Sequence, residues 1–216
     1  MMRTILITGG ESGLGYALSS LFLENNFKVI SFDLKQGVNQ KNKEFVKVDI
    51  TSEVQVLRAL KKVGDIDFLI NNAGVMRRAN TFESSVKDFD LLFSVHVKGS
   101  WLVIKHVLPK LSKGAVVLMI SSRHSSLPAN PGLYGLSKKV VEDLATLLER
   151  EPLAIKKNVQ VKTAILGPFK TKLSETGYTK EEYARRKNLL DKEVVASKVF
   201  KLLMSKKKKL IYKERE

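Results

Sequence analysis

Short apolar runs alternate with longer segments in which apolar residues recur every three or four positions, from Arg3 to about Leu210. Short apolar runs bounded by turn residues predict buried strands, and the three-to-four spacing predicts helices with one buried face. Strands are expected at Arg3–Thr8, Lys28–Asp33, Phe45–Val48, Phe68–Asn71, Ala115–Ser121 and Val159–Leu166, with a short last strand over Leu210–Tyr212. Helices are expected at Gly13–Asn25, Glu53–Lys62, Lys87–Leu111 with a break near Pro109, from Tyr134 to just before Pro152, and over most of Lys180–Met204. Strands that read as near-continuous apolar runs are covered on both faces. Their alternation with helices therefore predicts an α/β fold, a doubly wound parallel sheet between two helical layers. No linker or repeat interrupts the pattern, so residues 1–216 read as a single domain.

Composition narrows this further. The 216 residues are 44% hydrophobic and 7% aromatic. A chain of that size buries roughly 70% of its unfolded surface. The absence of cysteine excludes disulfides, thiol nucleophiles and thiolate metal sites, so no metal is expected. Met1-Met2-Arg3 leads directly into a strand pattern, and the apolar run Ala115–Ile120 is far too short to span a bilayer. The expectation is a soluble cytoplasmic protein without a membrane partner. The net charge of +16 is uneven, with +6 through Arg150 and +10 over the remaining 66 residues. It peaks at Lys206–Lys209, and 29 of the 38 basic residues are lysine. Base reading leans on arginine and interleaved aromatics, so a solvated lysine surface is expected rather than nucleic-acid binding.

Candidate chemistry begins where the first strand ends, in Thr8-Gly9-Gly10-Glu11-Ser12-Gly13-Leu14-Gly15. A strand, a glycine turn and a helix N-terminus form an anion site, with backbone N–H groups and the helix dipole aimed at a pyrophosphate. Asp33 closes the second strand 20 residues beyond Gly13. A carboxylate there accepts both ribose hydroxyls of NAD and repels the 2′-phosphate of NADP, so NAD is expected ahead of NADP. Lys35 nearby is a cation able to take part of a 2′-phosphate. Asn71-Asn72-Ala73-Gly74 follows the fourth strand and Ser121-Ser122 the fifth, and Tyr134-Gly135-Leu136-Ser137-Lys138 opens a helix. Tyr134 and Lys138 stand one helical turn apart and share a face. A second Y-x-x-x-K, Tyr183 to Lys187, lies in a charged helical pattern with no serine-bearing strand end before it.

In order and spacing these motifs resemble those of the short-chain dehydrogenase/reductase family, from Thr8 to Thr171. The resemblance implies a Rossmann fold and hydride transfer between a nicotinamide dinucleotide and a small secondary alcohol or carbonyl compound. It implies that Asp49 and Ile50 border the adenine and that Asn72, Ala73 and Gly74 line the cofactor's path. Gly167, Phe169 and Thr171, within Leu166–Thr171, would cover the nicotinamide, and residues of about 171–193 would form a short substrate cover. Lys138 would hold the nicotinamide ribose. With the nicotinamide's positive charge, it would also lower the pKa of Tyr134, about 10 when unperturbed, so that the phenol serves as general acid/base. Ser122 would hold the substrate oxygen; the alternative spacing selects Ser121.

His96 stands where relatives carry asparagine in V-N-x-x-G, and it is expected either to support a proton-relay water or to fill that space with its ring. Leu166 replaces the family's proline before Gly167. His106 is expected to be a surface or packing residue, His124 is a candidate for the wall of the substrate pocket, and Arg77-Arg78 read as a solvated loop. Trp101 and the apolar face of the Ser137–Leu148 helix imply a homodimer or homotetramer by resemblance. An alternative from another class stays open at this point: a dinucleotide-binding sensor that does not turn over.

Overall fold

The computed structural model describes residues 2–77, 81–126, 132–176 and 189–211. In chain order the strands are β1 (Thr4–Thr8), β2 (Lys28–Asp33), β3 (Lys43–Lys47), β4 (Ile66–Asn71), β5 (Leu111–Ser122), β6 (Gln160–Leu166) and β7 (Lys209–Ile211). The helices are α1 (Gly13–Glu24), α2 (Glu53–Leu60), α3 (Val86–Phe93), α4 (Ser100–Val107), α5 (Gly132–Arg150), α6 (Pro152–Lys156), α7 (Lys172–Thr176) and α8 (Lys192–Met204). All strand pairs are parallel, in the order β3-β2-β1-β4-β5-β6-β7. The strand order reverses between β1 and β4. At such a switch point the loops leaving neighbouring strands diverge and open a crevice at their carboxyl ends.

Alternation along β1 builds the two cores. Ile5 and Ile7 face one side and pack with Leu18 and Phe22 of α1 and Val199 and Leu202 of α8. Leu6 faces the other side with Ile30 and Phe32, Val103 and Val107 of α4, and Val141 and Ala145 of α5. The expected three-layer doubly wound sheet is the observed one.

The differences in detail arise where polar residues enter the sheet. β3 begins at Lys43 rather than Phe45, because the Lys43 ammonium is paired with the buried Glu11 carboxylate. β4 begins at Ile66 rather than Phe68. Asp67 interrupts the apolar run, yet its carboxylate accepts the Thr4 N–H at 2.8 Å. Lys162 lies within β6, where its ammonium donates to the carbonyls of Leu202, Leu203 and Ser205 and so closes the C-terminal end of α8. Burial lowers its pKa. α5 starts two residues before Tyr134, and Pro152 opens the short α6.

The expected Lys87–Leu111 helix is α3, a π turn over Ser94–Gly99, α4 and a tight turn over Leu108–Lys110 at Pro109. By length and composition the 86–110 run is apolar enough to cross a membrane. Here Leu92, Leu102, Val103 and Val107 are buried within the protein. Of the expected Lys180–Met204 helix, Lys192–Met204 is helical; residues 177–188, and Tyr212 of the last strand, lie outside the described residues.

Candidate active site

The glycine turn is shaped by contacts that leave no room for side chains. Gly9 has φ +69°, a left-handed conformation that favours glycine, and its N–H donates to the Phe32 carbonyl at 2.7 Å. A Cβ on Gly15 would penetrate the Gly9 carbonyl, so α1 packs directly on the turn. Thr8 Oγ1 accepts the N–H groups of Asn72 and Ala73 at 3.0 Å each, and Asn72 Nδ2 donates to the Thr8 carbonyl at 2.9 Å. These bonds fasten the end of β4 to the end of β1. Ser12 caps α1 without a side-chain hydrogen bond, and the first turn of α1 carries no acidic residue. The first N–H groups of α1 are therefore not taken up by the cap side chain and are available to an anion.

The end of β2 supplies Asp33. Its Oδ2 accepts the Glu11 N–H at 2.9 Å and its Oδ1 the Lys35 N–H at 2.9 Å, which fixes the carboxylate at the cleft edge with lone pairs to spare. Asp49 Oδ1 is held by the N–H and hydroxyl of Thr51 at 2.9 and 2.7 Å. Farther along, Thr171 Oγ1 accepts the Ser174 N–H at 3.1 Å and so caps α7.

The other end of the cleft gathers β5 and α5. Strand alternation turns the two serines apart. Ser121 Oγ donates to the Lys138 carbonyl at 3.1 Å and lies 2.8 Å from Glu142 Oε1. Ser122 Oγ lies 3.3 Å from His124 Nδ1 and accepts the His124 N–H at 3.3 Å. Tyr134 is nearly buried, with the His96 and His124 rings packed edge-on against it at centroid distances of 5.5 and 5.8 Å. Lys138 is buried; its Nζ donates to the Ile120 carbonyl at 3.1 Å, and desolvation lowers its pKa to about 8.

His96 occupies the π turn and ties three segments together. Its Nε2 accepts the Val75 N–H at 3.0 Å, so the proton resides on Nδ1, 2.8 Å from Ser137 Oγ. Ser137 Oγ in turn donates to the Tyr134 carbonyl at 2.8 Å. Burial first, and then the Lys138 charge, hold His96 well below the usual imidazole range, so it is neutral. Both ring nitrogens are engaged. The buried ring, bonded through both nitrogens, fills its place between Val75 and Ser137.

One open cleft of about 1020 Å³ joins these parts. It is lined by Gly9, Ser12, Gly13, Leu14, Asp33, Asp49, Ile50, Asn72, Ala73, Gly74, His96, Ser121, Ser122, Tyr134, Lys138, Gly167, Phe169 and Thr171. Gly15 does not line it and acts through packing instead. His124, Lys35 and Arg77 also reach the cleft, Arg77 while paired with Asp88 at 3.4 Å. His106 does not; it meets Glu53 at 2.8 Å on the surface of α4. Arg78 and the second Y-x-x-x-K, Tyr183 to Lys187, lie outside the described residues.

Three residues of the site escaped the sequence reading: Ser137, which links His96 to Tyr134, and the buried pair Glu11 and Lys43. Nothing along the chain signals a pair whose members stand more than 30 positions apart. Among the described residues, no group of three or more His, Asp or Glu side chains is placed to hold a metal ion.

Comparison with known proteins bears on the same residues. The sequence profile of the short chain dehydrogenases matches residues 3–182. Oxidoreductase UcpA of Salmonella typhimurium is 29% identical over 218 aligned positions, which cover 93% of this chain and 80% of that protein. Among solved structures, the 3-ketoacyl-(acyl-carrier-protein) reductase of Brucella melitensis complexed with NADH superposes with a TM-score of 0.84 at 23% identity, covering 99% of this chain and 97% of that one. A short chain dehydrogenase from Burkholderia cenocepacia in complex with NADP gives 0.85 at 20% identity, covering 98% and 88%. The fold is theirs as well, and a profile match running from β1 through α5 and beyond β6 extends the likeness to sequence: the chain belongs to the short chain dehydrogenase family of oxidoreductases.

Proposed function

We propose that the protein transfers a hydride between NAD(H) and a small secondary alcohol or carbonyl compound, with Tyr134 as the general acid/base. The observation that carries this reading is that Tyr134, Lys138 and Ser122 line the same cleft as Asp33 and the open glycine turn. The residues present fit a nicotinamide dinucleotide. The N–H groups at the start of α1 suit the pyrophosphate, and the Asp33 carboxylate suits the two adenosine ribose hydroxyls. When bound, the nicotinamide ring supplies or accepts the hydride.

The protein's own residues handle the proton and the geometry. Protonated Lys138, buried one helical turn from Tyr134, favours ionisation of the phenol and so makes it a useful base near neutral pH. The Ser122 hydroxyl, at the C-terminal end of β5, positions the substrate oxygen by hydrogen bonding. The rings of His96 and His124, packed nearly perpendicular to the phenol, hold its plane. NAD is favoured over NADP because Asp33 would face a 2′-phosphate with like charge. The relatives do not decide this, one being complexed with NADH and another with NADP.

Replacement Tyr134→Phe tests the reading. Turnover should fall by about 10²–10⁴-fold, while NADH binding, followed by its fluorescence, persists. Undiminished turnover in this variant would refute the assignment.

A second reading is a dinucleotide sensor without turnover, and one observation favours it: both His96 ring nitrogens are engaged, which closes the ring to proton relay. Single-turnover mixing with a carbonyl panel separates the two readings. Loss of NADH absorbance supports catalysis, and its constancy across the panel supports sensing.

A further inference from the structure

The Glu11–Lys43 ion pair takes no part in the proton chemistry, yet it stands beside the carboxylate that would receive the adenosine ribose. The two Glu11 carboxylate oxygens lie 2.8 and 2.9 Å from Lys43 Nζ, and both side chains are only 6% exposed. Two desolvated charges persist in an interior only when each satisfies the other. The surroundings are built on the pair: a Cβ on Gly37, in the turn between β2 and β3, would run into the Glu11 carboxylate. Glu11 also lines the cleft, and its N–H is bonded to Asp33 Oδ2. The residue carrying this carboxylate and the one facing the ribose are thus a single hydrogen bond apart.

The charges at this end of the cleft can be followed one by one. Lys43 is cancelled by Glu11. Lys35 donates its backbone N–H to Asp33 Oδ1 and is exposed. Lys192 sits 3.7 Å from Glu193 and over the outer face of Tyr16. Asp33 and the exposed Lys35 remain as the charges at the edge that would meet a ribose.

We propose that Glu11 is a specificity-determining residue. Its carboxylate neutralises the Lys43 ammonium, which would otherwise be a counter-ion for a 2′-phosphate, so the cleft takes a dinucleotide whose ribose 2′-hydroxyl is free. This inference rests on the NAD(H) reading above. It assigns the discrimination to a pair of buried charges as well as to Asp33.

The test is direct binding, which needs no substrate. NADH and NADPH are titrated by fluorescence against the wild-type chain, Glu11→Gln and the double variant Glu11→Gln/Lys43→Met, with circular dichroism reporting the fold of each. The wild type should bind NADH more tightly. Glu11→Gln leaves the ammonium unpaired behind the cleft wall, and the ratio of the two dissociation constants should move toward NADPH by about tenfold, the order expected of one uncompensated unit charge near the site. In the double variant the ammonium is gone and the shift should vanish.

A ratio unmoved in Glu11→Gln, or a shift that survives in the double variant, overturns the inference. Should Glu11→Gln not fold, Glu11→Asp withdraws the carboxylate by one methylene and must move the ratio in the same direction; a ratio that stays put there overturns the inference as well. Wild type that binds NADPH as tightly as NADH overturns the NAD(H) reading itself, whereas wild-type preference for NADH with an unmoved ratio removes only the role of Glu11.

Discussion

Lys138 brings an ammonium into a place where burial lowers its pKa from 10.5 to about 8. In the unfolded chain the same group stays protonated to about pH 10.4. The folded state therefore carries an unfavourable charge below about pH 8, and the penalty is relieved as pH rises toward the unfolded value, because over that window the unfolded chain holds more protons. Lys138→Met should accordingly raise stability at pH 7 by up to about 3 kcal/mol, and the gain should shrink toward pH 10. Urea unfolding of both proteins at the two pH values measures this; a variant less stable than wild type at pH 7 would show that the bond to the Ile120 carbonyl outweighs the buried charge. At the same residue the price in function should be large, since the uncharged side chain no longer favours the Tyr134 phenolate, and the rise of oxidation rate with pH should move to higher pH.

At the scale of elements, α1 and the π turn position the site through packing. Gly15 is the point where α1 touches the turn, and Gly15→Ala would push a methyl group into the Gly9 carbonyl. We expect a loss of about 3 kcal/mol in stability, read by thermal unfolding, together with loss of NADH binding, because the helix that presents its N–H groups must shift. The π turn sets His96 between the segment after β4 and the start of α5. His96→Ala leaves the Val75 N–H without its acceptor and a cavity beside Tyr134, with an expected cost of about 2–4 kcal/mol in urea unfolding. The pH dependence follows from the depressed pKa. Neutral His96 contributes stability above about pH 6.5, the unfolded value, and that contribution is lost progressively as pH falls toward its lower folded value. The acid side of the stability profile should therefore be shallower in His96→Ala than in wild type.

At the scale of the whole molecule, charge and exposed apolar surface remain. Part of the C-terminal lysine run is met by carboxylates of α5: Lys208 by Glu149 at 3.1 Å and Lys209 by Glu142 at 3.7 Å. The run thus belongs in part to the protein's own surface. Trp101 on α4 and Leu136 and Leu147 on α5 are exposed large apolar residues, on the two helices expected to pair between subunits. Trp101→Glu should shift sedimentation velocity from an oligomer to a monomer, and an unchanged sedimentation coefficient would place any interface elsewhere.

The layout of the sheet was legible in the sequence because strands buried on both faces must be apolar through their middles, as in Ile5–Ile7 and Ala115–Ile120, and because glycine must appear where backbone crosses backbone, as at Gly9 and Gly15. The site residues that lie at strand ends, Asp33, Asn72 and Ser122, were legible for the same reason: a parallel sheet directs the carboxyl ends of its strands to one crevice. The contacts of the two serines took the structure, since the pleat of β5 and the placement of Glu142 send the Ser121 hydroxyl toward α5 and leave the Ser122 hydroxyl beside His124. The state of His96 likewise depended on Val75 and Ser137, which reach it from other segments. Most of all, nothing in their own segments pairs Lys43 with Glu11. Sequence patterns record what each position must be to suit its own strand or helix, whereas the burial of a charge depends on which distant partner the fold brings to it.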